Sequence, residues 1–145
     1  LEDLLDPGNL GTIVRTAEGA GATGIIMSHG TVDIYNPKVI RATMGSIYRM
    51  PFVYTEALCQ AAGQMRQRGI RVYAAHLAGE KDYDDFCFRQ GTAFLIGNES
   101  RGLSRELTEC ADSLLKIPME GQVESLNAAV SAALLVYEAH RQRKS

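Results

Sequence analysis

The sequence predicts an α/β domain with a mainly parallel sheet covered by helices on both faces. Three observations predict it. Apolar spacing alternates between helical and strand periods along the whole chain. The strand-like runs are short, and several read as buried on both sides, the pattern of parallel sheets. The 145 residues, 46% hydrophobic and 22% charged, are ordinary for one domain. At this length folding buries on the order of 68–70% of the unfolded chain's surface, so no metal or disulfide staple is required. Composition excludes collagen-like, disordered and membrane-spanning chains.

Residues 1–5 (LEDLL) read as the end of a strand. Asp6-Pro7-Gly8-Asn9 is a turn in which Pro7 fixes φ and Asn9 is placed to cap the next helix. From Leu10 to about Ala20, the positions Leu10, Ile13, Val14, Ala17 and Ala20 recur at helical spacing and form one buried face. Residues 19–24 match GxGxxG, but a dinucleotide site needs a strand before the glycines and a helix starting at them. Here the order is reversed, so the glycines read as a helix end and a tight entry into a strand.

GIIMS (24–28) is that strand, ended by His29-Gly30. Pro37 opens a helix running to about Ser46. PFVYT (51–55) is a strand, residues 56–67 form an amphipathic helix closing at Gly69, and IRVYAAH (70–76) is a further strand. An acidic, aromatic loop (80–88) precedes TAFLIGN (92–98), the most strand-like run. Ser104 is placed to cap a short helix to about Cys110, SLLKIP (113–118) is a strand, and a final helix spans Ser125 to about Gln142.

Fifteen Lys and Arg against 17 Asp and Glu give a net charge of −2. That excludes a protein gripping nucleic acid through bulk charge, so any phosphate contact must come from clustered arginines or from sequence outside this chain. Cys59, Cys87 and Cys110 lack CxxC pairing and read as reduced, packed thiols of a cytoplasmic protein. His29, His76 and His140 show no ligand spacing, so no metal site is expected. No run approaches the roughly 18 apolar residues of a membrane span. The chain opens at Leu1 already near a turn, so a fragment whose upstream sequence was removed is expected.

Three loops at strand ends, where open α/β sheets bind ligands, carry more polar and glycine residues than turns require. They are DPGNLGTIVRTAE (6–18), FLIGNESRGLS (94–104) and LLKIPMEGQVESLNAAVSAALL (114–135). Each has a plain structural reading alone: a capped helix with Arg15 solvated, a charged turn, and a helix start with Ser125 as cap. Together they resemble the three motifs of the SpoU family of RNA ribose 2′-O-methyltransferases in the SPOUT superfamily. NPKVIRATMGSIYRMPF (36–52) is similar to the family's linking segment, so the resemblance covers essentially the whole chain.

The resemblance implies an α/β domain over residues 1–145 with a C-terminal deep trefoil knot, truncated near its first strand and without an N-terminal RNA-recognition domain. It implies S-adenosyl-L-methionine as cofactor, held by Gly97, Ile117 and Leu126 with Leu95, Met119 and Ser125 nearby, and transfer of its methyl to a ribose of ribosomal or transfer RNA. Asn9 and Arg15 match the first motif, Glu99 the second, and Ser125 and Asn127 the third. The best candidate for chemistry is Arg15, whose guanidinium would stabilise a developing oxyanion and hold the adjacent phosphate. As a general base it would have to lose a proton at a cost of about 7 kcal/mol, at roughly 1.36 kcal/mol per pKa unit. Glu99 is expected to orient Arg15 or Asn9.

The family also implies a homodimer packed through the knot, with Arg15 completing either its own site or the partner's. The stripe Leu126, Val130, Ala133, Leu134 and Tyr137 suits either the core or that contact. Arg15, Arg41, Arg49 and Arg101, with Arg105, are candidate RNA phosphate contacts. The alternatives are a non-catalytic RNA- or cofactor-binding module and a base-methylating relative. On the leading reading, the charge of −2 implies weak RNA binding by this piece alone.

Overall fold

The computed structural model describes residues 1–144. Helix α1 (Pro7–Gly19) is followed by β1 (Ile25–Ser28), α2 (Pro37–Thr43), a 3₁₀ turn (Ser46–Tyr48), β2 (Phe52–Thr55), α3 (Leu58–Gln67) and β3 (Arg71–Ala75). Then come β4 (Lys81–Asp82), a second 3₁₀ turn (Tyr83–Asp85), β5 (Thr92–Leu95), α4 (Arg105–Glu109), β6 (Ser113–Lys116) and α5 (Ala128–Lys144).

Every strand pairing is parallel, as β1–β2 and as β4–β6–β3–β5 in spatial order. Residues 1–4 join the two groups. The Leu1 nitrogen donates to the Ile26 carbonyl (2.7 Å), and the Leu1 carbonyl accepts from Ser28 (2.9 Å). On the other side the Glu2 N–H donates to the Ile96 carbonyl (2.9 Å). The expected strand end is therefore the seam that makes one layer of two sheets.

Helices cover both faces, as the apolar runs predict. Successive β3 side chains point to opposite faces. Tyr73 joins a core with Leu10 and Val14 of α1, Val39 of α2 and Leu135 of α5, whereas Val72 and Ala74 pack with Ala62 of α3 and Leu107 of α4. The acidic, aromatic loop contributes Phe86 and Phe88, whose rings meet Tyr73 edge-on at 5.3 and 5.1 Å. Gln142 of α5 ties it down, accepting from the Phe88 N–H (2.7 Å) and donating to the Phe86 carbonyl (2.9 Å).

The placement of β6 is the unusual feature. Ala75 and Lys81 both pair with Leu115, from opposite sides. The chain therefore leaves β3, crosses over the β6 backbone within residues 76–80 and resumes in the same direction as β4. Gly79 makes the crossing possible, because a Cβ there would lie 2.6 Å from the Leu115 carbonyl carbon and the Lys116 nitrogen.

Four expectations are corrected. Asp6, not Asn9, caps α1: its Oδ1 accepts the Asn9 N–H at 2.7 Å. The last helix begins at Ala128, not Ser125, and Asn127 is its cap, accepting from the amides of Ala129 (2.8 Å) and Val130 (3.3 Å). β4 lies inside a segment expected to be loop; two residues are too short to display a period. Cys59 and Cys110 are joined in a disulfide between α3 and α4, with Cα atoms 5.7 Å apart, leaving Cys87 as the exposed free thiol. Neither partner stands in a paired spacing motif, and the fold alone brings them together over 51 residues.

Candidate active site

Glu99, Asn9 and Asn127 converge from three loops. Glu99 Oε1 accepts from the Asp6 amide (2.9 Å) and from Asn9 Nδ2 (3.2 Å), and Oε2 accepts from the Leu5 amide (3.1 Å). Asn9 Oδ1 in turn accepts from Asn127 Nδ2 (2.9 Å). These links span 90 and 118 residues of sequence. The network fixes both amide orientations, since Asn127 Oδ1 is committed to the start of α5 and its nitrogen must face Asn9. Burial alone would raise the Glu99 carboxyl. The amides of Asp6, Leu5 and Glu99 itself, with the Asn9 side chain, outweigh that and hold it below the usual carboxylate range.

Asn98 is a positioning residue that the sequence reading left unassigned. It is buried, its Nδ2 donates to the Asp3 carbonyl (2.7 Å), and its Oδ1 accepts from the amides of Ser100 (2.9 Å) and Arg101 (3.0 Å). The signal was an Asn between a strand end and a glycine-containing turn, where a side-chain oxygen can bond the backbone two residues on. The Asn98 and Gly102 backbones also bond each other at 3.1 and 2.9 Å, closing the loop into a tight bridge. Gly97 lies beneath it: a Cβ there would overlap the backbone of Gly102 and Leu103. Its lack of a side chain is thus required by the chain's own close approach.

The other expected cofactor positions lie on strand ends and the segment entering α5. Leu95 is buried, and Ile117, Met119 and Leu126 are half-buried. Ser125 is exposed and bonds to no other described residue. The backbone of residues 118–126 makes no hydrogen bond within the described residues. The amides and carbonyls of that run are donors and acceptors that the described residues do not use.

Arg15 stands apart from the network. It is exposed on α1, and its guanidinium makes no hydrogen bond or ion pair among the described residues. Arg49 is engaged by Glu18 through Nε (3.0 Å) and Nη2 (3.3 Å). The hydrogen bonds and charge of Glu18 raise its pKa further above the ordinary arginine value. Arg101 reaches Asp3 at 3.4 Å and Arg105 reaches Glu109 at 2.7 Å, whereas Arg41 is exposed and has no ion pair among the described residues. Among the described residues no group of three or more His, Cys, Asp or Glu is placed to hold a metal ion, and no helix is long and apolar enough to cross a membrane.

An open groove of about 640 Å³ borders the network, with Asn9, Thr12 and Asn127 at one end and Val130, Leu134 and Tyr137 of α5 along it. Val130 and Tyr137 are 47% and 48% exposed, while Ala129, Ala132 and Leu135 face the core. The expected stripe is thus mostly a second, outward apolar face of α5.

Residues 1–137 match the SpoU rRNA methylase family. The chain is 37% identical over 137 residues to the Bacillus subtilis 23S rRNA (guanosine(2553)-2′-O)-methyltransferase RlmP, covering 94% of this chain and 55% of that protein. It is 38% identical over 144 residues to the Streptomyces viridochromogenes 23S rRNA (uridine(2479)-2′-O)-methyltransferase, covering 96% and 50%. Among solved structures it is similar to the SpoU methyltransferase AviRb from Streptomyces viridochromogenes in complex with AdoMet. The TM-score is 0.92 at 37% identity, covering 99% of this chain and 56% of that one. The chain spans about half the length of these relatives. With three motif loops joined at one point and a match over nearly its whole length, the chain belongs to the SpoU rRNA methylase family.

Proposed function

We propose that this chain transfers a methyl group from S-adenosyl-L-methionine to a ribose 2′-hydroxyl of ribosomal or transfer RNA. The observation that carries the reading is the Glu99–Asn9–Asn127 chain of hydrogen bonds, which ties all three motif loops into one site. Gly97, Ile117 and Leu126, with Leu95, Met119 and Ser125, would hold the cofactor, largely through the unbonded backbone of 118–126. Bound there, it supplies a sulfonium-activated methyl carbon for in-line attack by the ribose oxygen.

Arg15 stabilises the negative charge that develops on that oxygen as its proton leaves to phosphate or water, and it holds the neighbouring phosphate. Its guanidinium stays protonated throughout. Asn9 and Asn127 fix the floor of the site, and Glu99 orients Asn9 as its anionic acceptor. Ser125, exposed on the segment entering α5, offers its hydroxyl to the ligand. Arg41 and Arg101 are further phosphate contacts; Arg49 serves only if it exchanges Glu18 for RNA.

The reading extends to topology and assembly. The β3–β4 crossing over β6 is what a threaded chain requires, and it supports a trefoil knot formed by residues 75–127. The outward face of α5, continuous with Asn9 and Asn127, supports a homodimer in which Arg15 completes the partner's site. Residues 1–145 then act as one catalytic domain in the cytoplasm.

Isothermal calorimetry and methyl transfer test the assignment together. Arg15→Ala is expected to lower transfer at least a hundredfold while cofactor affinity stays within about threefold, the pattern of a group that acts on the RNA and the developing charge and not on the cofactor. Equal losses in both would make Arg15 a structural residue.

A further inference from the structure

Tyr48 is 85% exposed and Met44 is 70% exposed, two large apolar side chains within five residues. Their setting is rigid. Met44 ends α2 in the left-handed region (φ 48°), rare for a residue with a side chain, and Gly45 follows with φ 86°. Two tight turns close there, Met44 N–H to the Arg41 carbonyl (3.3 Å) and Tyr48 N–H to the Gly45 carbonyl (3.2 Å). Underneath, Ile47 and Met50 are buried, Ser46 donates to Glu18 (3.1 Å), and Arg49 grips the same carboxylate. The phenol ring is presented to solvent from an anchored backbone, so little ordering would be lost when something lies on it.

The surroundings are cationic. Lys38 and Arg41 lie three residues apart on the exposed side of α2, and neither meets a carboxylate among the described residues. The patch also adjoins Arg15. On α1, a Cβ at Gly11 would overlap Ala42 and the Val39 carbonyl of α2, so the two helices meet closely there, and Glu18 holds the turn at Ser46 and Arg49. Arg15 falls between these two contacts, one turn beyond Gly11, on the edge of α1 that borders the patch.

Resting on the reading above, we propose that Met44 and Tyr48 form a stacking platform for an unpaired base of the RNA substrate next to the target ribose, with Arg41 on its phosphate. Aromatic faces accept any base, and cations at the rim suit a polyanion. A second copy of this chain fits less well here, because the outward face of α5 is the more apolar surface.

The test uses the full-length protein and a single-stranded 12-nucleotide RNA carrying 2-aminopurine. Wild type is expected to quench the fluorophore on binding. Tyr48→Ala is expected to bind roughly tenfold more weakly with the quench lost and an unchanged salt slope, while Tyr48→Phe restores both. Arg41→Ala is expected to lower the salt slope by about 0.7, as loss of one phosphate contact on a single strand does. In methyl transfer to unmodified transcripts, Tyr48→Ala is expected to raise KM with kcat within twofold. Wild-type transfer with Tyr48→Ala indistinguishable from it would overturn the platform and leave the proposed function standing. Conversion of Tyr48→Ala to a monomer in sedimentation velocity, with the quench retained, would also overturn it and assign the patch to a second copy. Absence of transfer by wild type itself would count against the proposed function instead.

Discussion

Glu99 illustrates how a charged side chain can be a scaffold. Its carboxylate receives two backbone amides and one side-chain amide, donors that a neutral acid would bind less strongly. Because its folded pKa lies below its unfolded value, near 4.3 for Glu, it contributes stability above the unfolded pKa and loses it as pH falls through the folded one. Glu99→Gln is expected to cost about 1 kcal/mol at pH 7 in urea unfolding, a modest figure because the group is exposed. The difference from wild type should shrink below about pH 4; a difference independent of pH would show that charge is not what the loop uses. Asn127→Ala is expected to fail twice, removing both the cap of α5 and the donor to Asn9. It should lower stability by about 1 kcal/mol and transfer by a larger factor than that loss of folded protein explains. At this scale the sequence singled out, by type and motif, the residues that the structure joins as Glu99, Asn9 and Asn127. It could not show that Glu99 serves Asn9 rather than Arg15, because that depends on loops 90 residues apart.

At the scale of elements, most helices and strands were legible because their apolar positions keep a period and their ends carry Pro, Gly or a capping side chain. Pro37 after Asn36 and Ser104 before Arg105 start α2 and α4 as their residue types predict. The errors fall where several capping residues compete within one turn, Asp6 against Asn9 and Ser125 against Asn127, and only three-dimensional hydrogen bonding selects between them. The segment Gly97–Leu103 shows how backbone contact constrains an element. Gly97→Ala is expected to destabilise by about 1–3 kcal/mol through overlap with the Gly102–Leu103 backbone. It should also weaken cofactor binding in calorimetry, and retention of both would mean the loop relaxes freely. On α5, Tyr137→Glu is expected to shift sedimentation velocity toward monomer without unfolding, since that ring is half-exposed and outside the core.

For the whole molecule, the sequence predicted a parallel sheet with two helical layers but not its strand order. Nothing in SLLK states that it will lie between β3 and β4, and that insertion is a matter of connection, which hydropathy does not encode. The disulfide was invisible for the same reason. It closes a loop of 51 residues, so reduction is expected to cost about 2–4 kcal/mol and lower the Tm by several degrees, read by calorimetry with and without dithiothreitol. The net charge of −2 is no obstacle to RNA chemistry on this account, because the cations are placed locally, at Arg15, Lys38 and Arg41. The most direct test of the central claim is the position of the transferred methyl. Unmodified ribosomal and transfer RNA transcripts are incubated with methyl-labelled S-adenosyl-L-methionine and hydrolysed in alkali. The account predicts label in alkali-resistant dinucleotides, as a blocked 2′-oxygen requires. Label confined to mononucleotides, or cofactor binding with no label in any RNA, would contradict it.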